Sequence, residues 1–325
     1  ASSAIGGGEA LGGGIRCRTR SPLLATGGKT LIKGSAFARY STANQEKTGH
    51  ADLSIGGSKL AWLQSYTFSE FGDMKMGSNY PDRYPDFGRR SRYIETVNGV
   101  DQVVANKDDR VQKFSGYSQW DITQKLLFKQ SDKVSHKLNL QYSNSTDVPR
   151  YDRLQDIRNF GGSIGTTLRY AEWYYGPQTR IMGAYELNVS KLGFFDEFKT
   201  ILSYQDIKES RQQREYLRYD RFDSRREHIK VIGFTVDGRM TRGQNELTLG
   251  IDGQLNDLKS VADRTNLTTG VKTKLDSRYP NGDNNMNYFG AYAQHLLKSK
   301  NGKLVLNDGL RVQTVSLRST ISDNS

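Results

Sequence analysis

Apolar and polar residues alternate through much of this chain. That two-residue period constrains the fold more than any other feature, because successive strand side chains point to opposite faces whereas a helix repeats every 3.6 residues. In the clearest segment Val134, His136, Leu138, Leu140 and Tyr142 alternate with Ser135, Lys137, Asn139, Gln141 and Ser143. Trp120, Ile122, Leu126 and Phe128 do the same against Gln119, Asp121, Thr123 and Lys125. So do Ile181, Tyr185, Leu187 and Val189, then Phe198, Leu202 and Tyr204, then Ile232, Phe234 and Val236, then Leu247, Leu249 and Ile251. More mixed versions cover 29–41, 47–57, 59–70, 286–298 and 303–317, so the pattern predicts eleven strands.

A soluble two-sheet sandwich also alternates, with one face inside and one in water. Two features favour a sheet that crosses a bilayer. Many of the runs reach 10–14 residues, longer than the usual five or six and close to the ~9–11 tilted residues a membrane strand needs. The connections also sort by parity. Even-numbered ones are short: 56–58, 130–133, 191–193, 242–244 and 300–302. Odd-numbered ones are longer: 42–46, 71–113, 144–177, 207–227 and 256–285. A barrel with tight turns at one rim and long loops at the other requires that asymmetry, and a sandwich does not. Bacterial single-chain barrels have an even number of strands, so an odd count with unpaired edges is not a finished barrel, and the expected fold is an antiparallel transmembrane β-barrel in part, about 11 strands of the ~22 in plugged outer-membrane transporters. The chain reads as an internal piece, starting at Ala1 without a signal sequence.

Composition removes other classes. Mean hydropathy is −0.70, and no uninterrupted apolar stretch approaches the ~20 residues of a spanning helix. The 33 glycines, 18 tyrosines and 13 phenylalanines suit strands joined by turns. The single cysteine, Cys17, excludes an intramolecular disulfide framework and a cysteine-cluster zinc site. The formal charge of +12 raises nucleic acid as a partner. Basic residues nevertheless recur in nearly every turn and loop instead of forming one stripe, so no nucleic acid is expected. No nucleophile with a partner base, carboxylate pair or phosphate-cradling loop is evident. The expectation is no enzyme, no cofactor and no metal site.

Residues 5–20 are glycine-rich, and Ala10-Leu11-Gly12-Gly13-Gly14-Ile15 resembles the end of the plug domain of TonB-dependent receptors, where an Ala-Leu-Gly-Gly element leads into the last plug strand. The sequence departs from that pattern at Glu9 and at Cys17 flanked by Arg16, Arg18 and Arg20. The segments Tyr40-Ser41-Thr42-Ala43-Asn44-Gln45-Glu46-Lys47-Thr48-Gly49, Phe71-Gly72-Asp73-Met74-Lys75-Met76-Gly77, Ser115-Gly116-Tyr117-Ser118-Gln119, Pro149-Arg150-Tyr151-Asp152-Arg153-Leu154 and Ala171-Glu172-Trp173-Tyr174-Tyr175-Gly176-Pro177-Gln178 resemble barrel segments of the same family, in a branch similar to haem and haemoglobin receptors. The resemblance implies that 1–28 end a plug domain and its linker and that 29–325 form the N-terminal half of the barrel. It implies import of a scarce nutrient (an iron chelate, haem or a cobalamin-like cofactor) across a Gram-negative outer membrane. The implied partners are the TonB complex, acting through plug sequence upstream of Ala1, and the outer-membrane lipid and lipopolysaccharide around the barrel. A passive porin-like or structural barrel and a soluble all-β glycan-binding protein stay open as rivals.

The candidate ligand contacts are aromatic and arginine residues of the long loops, since arginine grips carboxylate or phosphate in two-pronged fashion and aromatics supply flat area. They are Tyr80, Arg83, Tyr84, Arg89, Arg90, Arg92 and Tyr93 in 71–113, joined by Phe87, and Arg150, Tyr151 and Arg153 in 144–177. The alternative for the first group is a solvated loop or one that binds lipopolysaccharide phosphates. Trp173, Tyr174 and Tyr175 read first as an interfacial girdle. Arg211, Arg214, Arg218, Arg221 and Arg225 recur at spacings of three and four, which predicts either a short basic helix or a solvated charged loop. His136 falls on an apolar strand face, and His50, His228 and His295 form no paired ligand spacing.

Overall fold

The computed structural model describes residues 19–79 and 82–322. The eleven expected strands form one antiparallel sheet in which each pairs with the next along the chain. They are β1 (Leu31–Ser41), β2 (Glu46–Gly56), β3 (Leu60–Phe71), β4 (Tyr117–Lys129), β5 (Val134–Ser145) and β6 (Thr179–Leu192). After these come β7 (Phe195–Glu215), β8 (Phe222–Arg242), β9 (Asn245–Thr265), β10 (Asp283–Lys298) and β11 (Val305–Ser319). β1 and β11 are the edges of the sheet.

Residues directly opposite in an antiparallel ladder share a face. Following the register from strand to strand, Ile32, Ile55, Trp62, Leu126, Leu138, Tyr185, Leu202 and Phe234 form one continuous apolar row. The next row is Lys33, Ser54, Leu63, Lys125, Asn139, Ala184, Ser203, Gly233 and Gln254. The apolar row is not buried against protein: Ile32 is 65% exposed and Leu202 52%. Among the described residues no second large sheet covers it, and the buried apolar cluster of Ile94, Leu168 and Ala171 sits in the loops. One face is therefore oily and open, which a sandwich interior forbids and a lipid-facing wall requires.

The opposite face is wet and cross-linked. Lys137 and Lys199 both reach Glu186, at 2.9 and 3.3 Å, and Arg311 forks onto Asp252 at 2.6 and 2.9 Å. Residues 19–25 run along this face. The ammonium of Lys125 donates to Thr19 Oγ1 and the Arg20 carbonyl, both at 2.5 Å, and Arg20 pairs with Asp52 at 2.8 Å. Gly56 admits that segment, since a Cβ there would collide with the Leu23 carbonyl oxygen. The Ala-Leu-Gly-Gly element and Cys17 lie outside the described residues.

The long connections 72–116, 146–178 and 266–282 all lie at one rim, but 42–45 and 216–221 at that rim are as short as 130–133 and 299–304 at the other. The expected boundaries of 207–227 need correction. β7, β8 and β9 are each 21 residues long, so the strands continue well past the ~10 residues that cross a bilayer. No helix forms over 211–226: Arg211 and Arg214 lie in β7, Arg225 in β8, and Arg218 and Arg221 in the turn between them. Ladder pairing continues without a register shift to Arg214 opposite Phe222 and satisfies the backbone residue by residue, whereas a lone helix of ~15 residues is marginal in water.

Leu202 and Ser203 are neighbours on opposite faces. Leu202→Lys should cost roughly 2–4 kcal/mol of folding in lipid vesicles, the range for a cation at mid-bilayer depth, and Ser203→Lys should be tolerated. Heat-modifiable gel mobility after refolding measures both, and equal losses would contradict the assignment of Leu202 to lipid and Ser203 to the wet face.

Candidate functional site

At the long-loop rim three connections fold into one body. Within 72–116, Arg92–Val97 and Val100–Ala105 make a hairpin whose turn residues Asn98 and Gly99 both have positive φ, 50° and 78°, the geometry that Asn-Gly adopts readily. The hairpin docks on the far end of β7 through a carboxylate. Asp101, fully buried, accepts from Arg214 Nη1 and Nη2 at 2.6 and 2.8 Å and from the Leu217 backbone N–H at 2.8 Å. Arg214 also donates to Glu172 at 2.8 Å and Thr96 at 3.1 Å. Tyr216 packs on the neighbouring apolar cluster. Burial opposes ionisation of Asp101, but the Arg214, Leu217 and Thr96 hydrogen bonds outweigh it and hold the carboxyl below its ordinary range.

The expected contacts separate into two groups. Arg89 pairs with Asp109 at 2.8 Å. Arg90 is 2% exposed and donates to the Lys113 carbonyl, and burial pushes its guanidinium down to about 10. Arg153 faces Asp156 at 3.4 Å. Arg90 is thus engaged inside its loop, whereas Arg89 and Arg153 pair at the loop surface. Arg83 stacks 4.9 Å over Tyr84, which is exposed like Phe87 and Arg92. Tyr93 meets the edge of Phe114 and Tyr151 is half-buried. Tyr80 lies outside the described residues.

Arg150 marks a second gathering. It forks onto Asp152 at 2.7 and 2.6 Å, donates to the Tyr175 hydroxyl, and lies 4.9 Å over Trp173. Tyr170–Tyr175 pairs with the end of β7, placing Tyr175 opposite Arg211, whose guanidinium is 5.1 Å from the ring. Arg211 in turn faces Arg225 across the β7–β8 ladder. Both continue the polar face, two positions along from the row that holds Glu209 and Glu227. The spacing of these arginines reads as helical in sequence; the even-odd order of Ser203, Gln205, Ile207, Glu209 and Arg211 is the signal that assigns Arg211 to the polar face.

Each histidine has a local partner: His136 binds Tyr185 and Gln130, His228 binds Asp206, His295 binds Asn245 and Asp308, and His50 binds Thr67. Among the described residues no group of three metal-ligating side chains converges.

An open oily face, a cross-linked polar face and a folded cap of long loops define part of the wall of an antiparallel transmembrane β-barrel. The structure is similar to that of the copper transporter OprC, with a TM-score of 0.63 at 11% identity over 92% of this chain and 38% of that one. It is also similar to the ferric enterobactin receptor PfeA of Pseudomonas aeruginosa in complex with enterobactin, with a TM-score of 0.54 at 14% identity over 96% and 43%. The chain thus spans about two fifths of the structures it matches. At such identity the likeness is one of fold. No family model and no curated protein matches the sequence.

Arg214→Met should strand the Asp101 carboxylate without its cation, at a cost of ~3–5 kcal/mol. Hydrogen exchange should then accelerate in 92–105 while the β8–β9 ladder stays protected; unchanged exchange in the hairpin would refute the docking role. The folded Asp101 carboxyl has a depressed pKa, so its contribution is present above the unfolded value and fades only as pH falls through the folded one. Hairpin protection should accordingly be the same at pH 5 as at pH 7 and decline below the ordinary aspartate range.

Proposed function

We propose that this chain forms the first part of the barrel of a TonB-dependent importer, which takes up a scarce nutrient across the outer membrane of a Gram-negative bacterium. The observation that carries the reading is the single amphipathic sheet, with its oily face unpartnered by protein and its fold shared with OprC and PfeA. In this reading residues 1–28 are the end of a plug and its linker and 29–325 are the barrel. The contact of residues 19–25 with the polar face supports a chain that enters the wall from the lumen.

The long-loop rim is the outer one, and the loops take the ligand. Tyr80, Arg83, Tyr84, Arg89, Arg92, Tyr93, Arg150, Tyr151 and Arg153 are the proposed contacts, while Arg90, buried against the Lys113 carbonyl, shapes the loop that carries its neighbours. Lipid and lipopolysaccharide surround the apolar rows, and the TonB complex acts through upstream plug sequence. Iron chelates, haem and cobalamin-like cofactors are the substrates in contention, and the resemblance to haem and haemoglobin receptors makes haem one of the sources to be tried. A passive porin is the weaker reading, since a porin has no use for a segment such as 19–25 laid along its lumen wall.

Deletion of the full reading frame should abolish or slow growth when one of these nutrients is limiting, and the intact gene should restore it only where TonB is functional. Normal growth of the deletion strain on every source, or full complementation without TonB, would overturn energy-coupled import.

A further inference from the structure

Above the apolar rows the outward face of β7, β8 and β9 turns cationic. Two residues at a time from Leu202, Phe234 and Gly253, the ladder sets Tyr204, Ile232 and Leu255 side by side, then Asp206, Lys230 and Asp257. The next row is Lys208, His228 and Lys259, and the one after it Ser210, Arg226 and Val261. Strand side chains two apart share a face, so these rows continue the oily side towards the long-loop rim. Lys230 stands between two carboxylates in its own row. Lys208 and Lys259 have none in theirs. His228, between them, meets Asp206 at 2.9 Å, and Arg226 pairs with Asp263. Glu209 and Glu227 belong to the opposite face. Lys208 and Lys259 are exposed and make no hydrogen bond or ion pair with another described residue.

Lys208, Ser210, Arg226, His228, Lys259 and Val261 line a cleft of about 440 Å³. Below it Tyr204, Ile232 and Leu255 are all exposed, so the border of the cleft is oily. The far end of β2 to β5 is built differently. There Phe68, Trp120 and Asn144 share a row of the outward face, and Lys47 is neutralised by Glu70 at 3.4 Å. On β7 to β9, by contrast, two unneutralised ammonium groups lie two strand spacings apart, roughly 10 Å between backbones, directly above hydrocarbon-facing side chains. A lysine in that position lays its stem along the apolar surface and carries its charge at the depth of the lipid head groups.

We infer that this cleft binds the phosphate of a membrane lipid, with Lys208 and Lys259 on either side, Arg226 above, and the acyl chains on Tyr204, Ile232 and Leu255. The inference rests on the reading of the sheet as an outer-membrane wall with the long loops outside, and it gives one outer-leaflet lipid a fixed place on that wall. Each ammonium donates to a phosphate oxygen, and the bound charge relieves the repulsion among the cations. The occupant is a lipid because the oily border adds hydrocarbon contact to the electrostatic attraction, and a free phosphate ion gains only the second.

The test uses the full-length protein in a zwitterionic detergent, titrated with bisphosphorylated lipid A, the same lipid stripped of phosphate, phosphatidylcholine, and inorganic phosphate, with native mass spectrometry as the readout. Wild type should bind one copy of lipid A about tenfold more tightly than either uncharged or zwitterionic lipid, and inorganic phosphate at equal concentration should not displace it. Lys208→Gln and Lys259→Gln should each weaken that copy about fivefold, and the double variant about twenty-fivefold, as expected for losing lysine contacts to an anionic head group. Lys47→Gln should leave it unchanged. Both lysines are exposed, so the variants should refold with the heat-modified band of wild type. Equal binding of lipid A with and without its phosphates, displacement by inorganic phosphate, or equal affinity of wild type and the double variant would each overturn the inference. Refolding of the Leu202→Lys and Ser203→Lys proteins decides the membrane-wall reading separately, so a wall upheld there with an unaffected double variant would sink this site alone.

Discussion

The ladder register is the constraint on which the rest of the structure depends. A shift of one residue in any strand would turn its oily side chains into the wet face and its charges into lipid, since the side-chain period is two. From Ile32 across eight strands to Phe234 the apolar positions stay opposite one another, and the row beside them is polar or small at every position but Leu63. Cross-strand bonds on the wet face, Lys137 and Lys199 to Glu186 and Arg311 to Asp252, reinforce the same register from the other side. The wall therefore needs no conventional core. Its interior is a lined surface, and its exterior is completed by solvent of a different kind.

A core does form, but at the rim. Three connections that would be costly to order singly are joined by Ile94, Leu168, Ala171 and Tyr216 and by the Asp101–Arg214 pair, whose side chains are almost completely buried. Such a pair is a weak source of stability and a strong source of specificity: it fixes where the hairpin sits, because either charge without the other is costly. The hairpin thus holds a defined position on β7, and the aromatic and arginine residues beside it keep a defined geometry. Arg214 and Arg211 sit three residues apart on one strand yet serve opposite faces, one locking a loop and the other continuing the wet face.

The strands were legible because the period-two signal is local and repeats, and because turn residues such as Arg242-Gly243-Gln244 mark the tight rim. Loop residues were less so. Tyr84 and Arg83 are exposed, Arg89 and Arg153 pair at the surface with Asp109 and Asp156, and Arg90 is buried against the Lys113 carbonyl. A carboxylate twenty residues away decides whether an arginine such as Arg89 is engaged, and no local pattern carries that information. The arginines of 211–226 misled for a related reason: strands that outrun the membrane still alternate, but with charges on both faces the contrast that reveals the period is lost.

By itself the sequence determined the class of fold, the strand number, the facing of each strand and the rim that bears the long loops, since all four follow from alternation and spacing along the chain. Tertiary structure alone decided which charges are satisfied. Asp101 meets Arg214 across more than a hundred residues, and Arg211 meets Arg225 only because β7 and β8 extend beyond the bilayer in unbroken register. Pairing between distant side chains depends on how the strands align in three dimensions, and the linear order of residues does not contain it.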